Sequence, residues 1–337
     1  MKSKYGHVVW PTVGVAVAAF CVWALVRELW TLSLADVAAS LTHVSALHWL
    51  GALAGAALAY SALAGYDRIA LQHLGYHLSW PFIALASFVS YALSHNIGAA
   101  VFSGAVVRYR IYSTKGLSAA EVGVLVAFCA FTFVLGVTIL GGFLVIFFPE
   151  MPQRYVDLPA PLARLCGFAM LGVVGLYVLG SLLRLKPLVI WGFSIFYPRP
   201  AIVLKQLIIG PMELLGAAAI IYFCLPEAGN PGYLTILGIF LASFSLAIFS
   251  HAPGGIGVLE LLFVSGLKDM PAADVLAALI VFRVFYLVLP LAISFFVVLA
   301  FERHQLMLRR KAEVEGAAAP ETAPTTLAVM PPPLAEG

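Results

Sequence analysis

Two histidines in apolar surroundings carry the first chemistry this sequence offers. His95 closes the run ASFVSYALSH and His251 closes ASFSLAIFSH, and each soon meets a glycine, Gly98 or Gly254. Ala86, Ser87, Phe88, Ser94, His95 and Gly98 match Ala242, Ser243, Phe244, Ser250, His251 and Gly254, so the two segments read as an internal repeat. An imidazole placed there can hydrogen-bond freed backbone groups, gate a chamber by protonation, or donate to a polar headgroup. Repeats whose helices break at mid-membrane depth are how many transporters build a substrate site, so transport is the first reading.

Three charges lie deep in apolar sequence: Glu213, Glu260 and Arg283. Each costs about 2.5–3.5 kcal/mol at the centre of a membrane helix on insertion scales, and such residues face a cavity or a partner. The structural reading pairs Glu260 with Arg283. The functional reading gives Arg283 a lipid phosphate, while Glu260 or Glu213 answers a cationic headgroup. Gly254-Gly255-Ile256-Gly257 opens a short apolar helix, Val258 to Gly266, whose free amides and dipole favour an anion. Glycine pairs also serve close helix packing, and both readings stand.

Arg108-Tyr109-Arg110-Ile111-Tyr112 sets Arg108 and Arg110 among aromatics where an apolar stretch leaves the membrane. That is either an entry site for a phosphate-bearing headgroup or ordinary positive-inside anchoring. His73 and His77 are four apart, the spacing of a helical metal pair, but no further ligand stands near them, so neither metal nor cofactor is expected. The four cysteines, Cys21, Cys129, Cys166 and Cys224, show no ligand spacing and are expected as small apolar packing residues.

The elements that must hold these residues follow from hydropathy. Of 337 residues, 62% are hydrophobic and only 10% charged, too little polar surface for a water-soluble globule. Basic residues collect in short loops, so the net charge of +3 speaks to orientation and not to nucleic acid. Spans of about 20 apolar residues run near 8–26, 47–65, 121–148, 164–183, 201–225 and 273–301. The first is expected to be an uncleaved helix, since no small-residue cleavage site follows it.

Two further apolar stretches, about 80–107 and 232–266, carry the repeat. Pro253 and its glycines should break the second, and by analogy Asn96 to Gly98 should break the first. If both stretches crossed, Arg108, Arg110, Lys115, Arg184, Lys186 and Arg199 would lie outside, against the positive-inside rule; if both turn back, these loops become cytoplasmic. Three crossings separate the stretches, so two re-entrant hairpins would enter from opposite faces.

The expected fold is therefore an all-α polytopic membrane protein. It has about six transmembrane helices plus two broken helical hairpins related as an inverted repeat, with repeat segments near 80–148 and 232–301. The membrane domain covers 1–303, and 304–337 is expected to be a disordered cytoplasmic tail, rich in Ala, Pro, Glu and Thr towards its end. Ser118-x-x-Glu121 reads as a capping box opening a helix, and Ser79-Trp80-Pro81 as a helix start at the interface.

Two motifs carry a resemblance. SHNIGAAVFSGAVVRYRIYSTKGLS from Ser94 to Ser118, and SHAPGGIGVLE from Ser250 to Glu260 followed by Phe282-Arg283, resemble the membrane domain of the bacterial MprF-type lysylphosphatidylglycerol synthase/flippase family and its stand-alone YbhN-like relatives. The likeness covers about residues 8–303. It implies a flippase or transporter of a membrane phospholipid, aminoacylated phosphatidylglycerol included, in the bacterial inner membrane; the positive-inside count puts both termini on the cytoplasmic side. The soluble aminoacyl-transferase domain of that family has no counterpart here, so synthase activity is not expected. Transport of another lipid (hopanoid-type), an intramembrane lipid-modifying enzyme, and a partner subunit of a separate lipid synthase remain as alternatives. No GxxxxGK[ST] loop suggests ATP use.

Overall fold

The computed structural model describes residues 44–97, 100–184, 188–190, 193–195, 197–250 and 257–318. Its helices are α1 (Ala46–His73), α2 (Trp80–Ile97), α3 (Ala100–Tyr112), α4 (Ala119–Phe147), α5 (Ala160–Leu182), α6 (Pro200–Cys224), α7 (Tyr233–Ser250), α8 (Val258–Gly266), α9 (Ala272–Arg283) and α10 (Leu289–Ala318). Five candidate spans are long and apolar enough to cross a bilayer: α1, α4, α5, α6, and the run Ala272–Arg303 through α9 into α10. These are the expected crossings from 47 onward, and the expected span at 8–26 lies outside the described residues. Large apolar side chains such as Leu165, Phe168, Val173 and Leu176 on α5 face outward, as a lipid solvent allows.

The start signals read from sequence are present. Ser118 Oγ accepts from the Glu121 amide while Glu121 Oε2 accepts from the Ser118 amide, a reciprocal capping box on α4. Trp80 opens α2 with Pro81 in its first turn, and the Arg68 guanidinium lies 5.0 Å from the Trp80 ring.

Neither interrupted stretch crosses. In a continuous helix Tyr91 and Arg108 would stand about 25 Å apart, yet the Arg108 guanidinium carbon sits 4.3 Å from the Tyr91 ring. Ser94 lies against Gly104, the Phe82 and Tyr112 rings are 6.0 Å apart, and Lys115 Nζ is 5.0 Å from the Phe82 ring. Helices α2 and α3 therefore fold back as an antiparallel hairpin. Helices α7 and α8 do the same, with Gly266 against Ile239, and Phe240 and Phe263 in one core. The expected break near Pro253 falls in 251–256, outside the described residues, and α8 starts on Gly257 with φ +84°.

Helix α4 shows that the hairpins are inverted. The first hairpin's base sits at the N-terminal end of α4, beside Tyr76, whose hydroxyl donates to Glu121 Oε1 at 2.9 Å. That neighbouring acceptor raises the Tyr76 pKa above the ordinary tyrosine value. The second hairpin's base sits at the C-terminal end, where Arg154 donates to the Gly266 carbonyl at 2.5 Å and Tyr155 to the Leu262 carbonyl at 2.8 Å. Burial pushes the Tyr155 phenol up to about 12.

Small residues let the crossing helices touch. Gly216 on α6 meets Gly55 and Ala59 on α1 backbone to backbone, and Gly210 meets Gly136 on α4.

Four features differ from expectation. A three-residue-per-strand hairpin, β1 (Leu188–Ile190) with β2 (Phe193–Ile195), joins α5 to α6, with Val189 opposite Ser194. Cys166 is exposed, because α5 lies at the edge of the bundle and buries only a stripe of small residues. His73 ends α1 and stacks on Phe128 at 5.2 Å, while His77 sits in the turn beyond, so they share no helix face. Helix α10 runs on to Ala318, into the segment 304–337 expected as a tail; Leu306, Met307, Lys311 and Ala312 are strong helix formers.

Candidate functional site

The described parts of both hairpins converge on Tyr286. It lies in a single π-helical turn, Val284–Val288, between α9 and α10. Such turns are frequent at functional sites because they loosen the backbone ladder. Pro290 has no amide hydrogen for the Tyr286 carbonyl four residues earlier. The Tyr60 hydroxyl of α1 donates to that carbonyl instead, at 2.9 Å. Asn96, near the end of α2, donates to the Leu287 carbonyl at 3.4 Å and to its own Ala92 carbonyl at 2.7 Å.

The Tyr286 ring is clasped from both repeats. His95 of the first hairpin stacks on it at 5.1 Å and 18°, and Phe244 of the second meets it edge-on at 6.3 Å. His95 and Phe244 are themselves 6.4 Å apart. The repeat residues His95 and Phe244, singled out by pattern alone, thus meet across one tyrosine.

The Tyr286 hydroxyl donates to Glu213 Oε1 at 2.5 Å. Glu213 lies on α6 just past Pro211 and is 1% exposed. Its Oε2 has no hydrogen-bond partner, and neither has His95 Nδ1, although both atoms are buried. An unmatched polar atom in this setting costs about 1–3 kcal/mol, so two around one residue mark a place awaiting a ligand or a proton.

Beside this cluster Arg283 and Glu260 form the anticipated ion pair, Nη2 to Oε1 at 2.5 Å. Arg283 is buried, whereas the Glu260 side chain is 28% exposed and so open on one side. Glu260 Oε2 also accepts from the Gly257 amide at 2.7 Å. One amide at the start of α8, read as an anion donor, is therefore already taken by this chain's own carboxylate.

Arg108 belongs to a different cluster. Its Nη2 reaches Asp67 Oδ1 at 3.0 Å and its Nε both carboxylate oxygens at 3.3 Å, with Tyr112 donating to Oδ2 at 2.8 Å. Both partners are almost fully buried, so the Arg108 guanidinium read as a headgroup donor is already engaged by this chain's own carboxylate. Arg110, two residues on, is half-buried on α3. Of the candidate residues, His95, Asn96, Glu213, Glu260 and Arg283 come together around the Tyr286 turn and Arg108 and Arg110 do not. His251, Gly254 and Gly255 lie outside the described residues, as does Gly98.

Sequence reading missed Asp67, Tyr60 and Tyr286. Asp67 stands two residues beyond the apolar run 47–65, although α1 continues to His73. The usable signal for Tyr286 was Pro290, whose position fixes which carbonyl loses its donor. Among the described residues no group of three or more His, Cys, Asp or Glu is placed to hold a metal ion.

Residues 12–294 match the family described as the lysylphosphatidylglycerol synthase TM region. The Synechocystis protein slr0712 is 30% identical over 90% of this chain and 95% of its own length. The inner membrane protein YbhN of Escherichia coli is 29% identical over 78% of this chain and 83% of its own. A phosphatidylglycerol lysyltransferase of Staphylococcus aureus is 22% identical over 87% of this chain, which spans only 34% of that larger protein. The family match runs through both hairpins and the Tyr286 turn, and the chain belongs to this family of multi-pass membrane proteins.

Proposed function

We propose that this protein moves a phospholipid between the leaflets of the bacterial inner membrane, with the headgroup passing through the Tyr286 cluster and the acyl chains left in the bilayer. The observation that carries the reading is the meeting of two oppositely inserted hairpins at buried, unmatched polar atoms. Irregular backbone survives at that depth only when enclosed in protein or lining a wet cavity. The partly open Glu260 suits an amino group on a headgroup, and Arg283, released from Glu260, suits its phosphate. Aminoacylated phosphatidylglycerol is the first cargo to test, because the staphylococcal relatives are named for transferring lysine to phosphatidylglycerol.

Orientation follows from charge. Arg68, Lys115 and Lys205 gather at the end of the bundle where α1 finishes and α4 and α6 begin, with Lys205 Nζ 2.8 Å from Gln72 Oε1. At the other end Glu150, Asp157, Glu227 and Asp269 outnumber Arg154, Arg164 and Lys268. The positive-inside rule makes the first end cytoplasmic.

The test is reconstitution into phosphatidylglycerol/phosphatidylethanolamine vesicles with a fluorescent lysylphosphatidylglycerol and a membrane-impermeant quencher. Wild-type protein should exchange the lipid, and Arg283→Gln should slow it about tenfold or more, the worth of one charge-assisted hydrogen bond. The swap of Glu260→Arg with Arg283→Glu keeps an ion pair, so a purely structural pair would leave exchange intact. Wild-type exchange no faster than in protein-free vesicles, or full activity in both variants, would refute the headgroup path.

A further inference from the structure

Three of the carboxylates on the described helices, Asp67, Glu260 and Glu213, are not alike. Asp67 is matched by the Arg108 guanidinium, the Tyr112 hydroxyl and the Cys129 thiol. Glu260 is matched by Arg283 and the Gly257 amide. Among the described residues Glu213 receives only the neutral Tyr286 hydroxyl on Oε1, and its Oε2 faces no donor. An ionised carboxylate held out of water with one neutral donor is heavily penalised, and a proton on the second oxygen removes the penalty.

We propose that Glu213 is a proton-binding site and that its loading and release are coupled to lipid movement. The coupling rests on the transport reading above; the proton site does not. Among the described residues, the neighbours of α6 supply no counter-charge for Glu213. Helix α1 presents Tyr60 and Tyr66, the latter donating to the Gly210 carbonyl at 2.8 Å. Helix α4 brings Cys129, committed to Asp67, and α5 brings Tyr177, committed to Gln206. Helix α7 has no charged residue, and its Tyr233 donates to the Leu215 carbonyl. Helix α9 offers Arg283, which turns to Glu260. His95, stacked on the same tyrosine and unmatched at Nδ1, gives the proton a second seat at the hairpin tip. A proton moving between Glu213 and His95 would pass beside the one residue that both hairpins grip.

Infrared spectroscopy of the full chain in lipid tests the site directly. A protonated carboxyl gives a carbonyl band that a carboxylate lacks. The band should be present at neutral pH in the wild type, vanish in Glu213→Gln, and move to higher frequency in Tyr286→Phe, which removes the hydrogen bond. A wild-type spectrum without that band, or one unchanged in Glu213→Gln, overturns the proposal. Coupling is read in the vesicle assay under an imposed pH gradient. With one proton per lipid, each pH unit should bias the leaflet ratio of the fluorescent lipid about tenfold. In Glu213→Gln the ratio should stay near one. Exchange that ignores the gradient in the wild type overturns the coupling and leaves the flippase reading standing. No exchange at all, with the band present, sinks the flippase reading and the coupling and leaves the proton site.

Discussion

At the residue scale, the Arg108–Asp67 pair shows what satisfied charge looks like inside this membrane protein. The guanidinium spends Nε and Nη2 on the carboxylate and lays its face on Tyr91 at 4.3 Å, so attraction and packing coincide. Buried pairs of this kind gain little over an apolar replacement, but removing one partner strands the other. Asp67→Asn should therefore destabilise the protein by about 3–5 kcal/mol, whereas Asp67→Leu combined with Arg108→Met should recover most of that. Thermal unfolding in mild detergent checks both. A single variant as stable as the double one would mean that the guanidinium finds another partner. Sequence alone exposed one half of this pair. Arg108 stood out as a charge beside an apolar stretch, but Asp67 was hidden because hydropathy falls before α1 ends. The Glu260–Arg283 pair was legible because both members lie well inside apolar segments, where a lone charge demands an explanation.

At the element scale, the seam between α1 and α6 fixes where the functional side chains point. Gly216 is three residues after Glu213 on α6, and Tyr60 is one after Ala59 on α1. A β-carbon at Gly216 would lie 2.6 Å from the Gly55 carbonyl oxygen and 2.7 Å from the Ala59 nitrogen. Both obstacles are backbone, so the helices themselves must part, at a cost of about 1–3 kcal/mol. Gly216→Ala should lower the detergent melting temperature, while Gly172→Ala on α5, with open space around it, should be neutral or slightly stabilising. Equal melting temperatures for the two variants would contradict the tight seam. Crossing helices were readable because a bilayer demands long apolar runs. The β1–β2 hairpin was not, since three-residue strands outside the apolar runs leave no periodic signal. The π turn was not either: the Tyr286 carbonyl that Pro290 leaves without a donor is answered by Tyr60, from a helix far away in sequence.

At the scale of the whole molecule, inversion follows from counting. An odd number of crossings separates two hairpins that each return to their own side, so they must enter from opposite faces, and the contacts at the two ends of α4 agree. Hydropathy alone could not separate a hairpin from a crossing; the loop charges did, because a crossing would export the basic loops. Labelling can make the same separation in the membrane. His77 and Lys115 flank the first hairpin, Glu227 and Lys268 flank the second, and all four are exposed. Single cysteines at these positions, in a background without the native cysteines, should react with an impermeant maleimide in two pairs. Positions 77 and 115 should be protected in intact cells and react only after the membrane is opened, while 227 and 268 should react at once. Two crossing stretches would instead split each pair, placing 77 opposite 115 and 227 opposite 268. Because a hairpin keeps its flanks together and a crossing parts them, agreement within each pair decides the architecture even if the absolute orientation came out reversed.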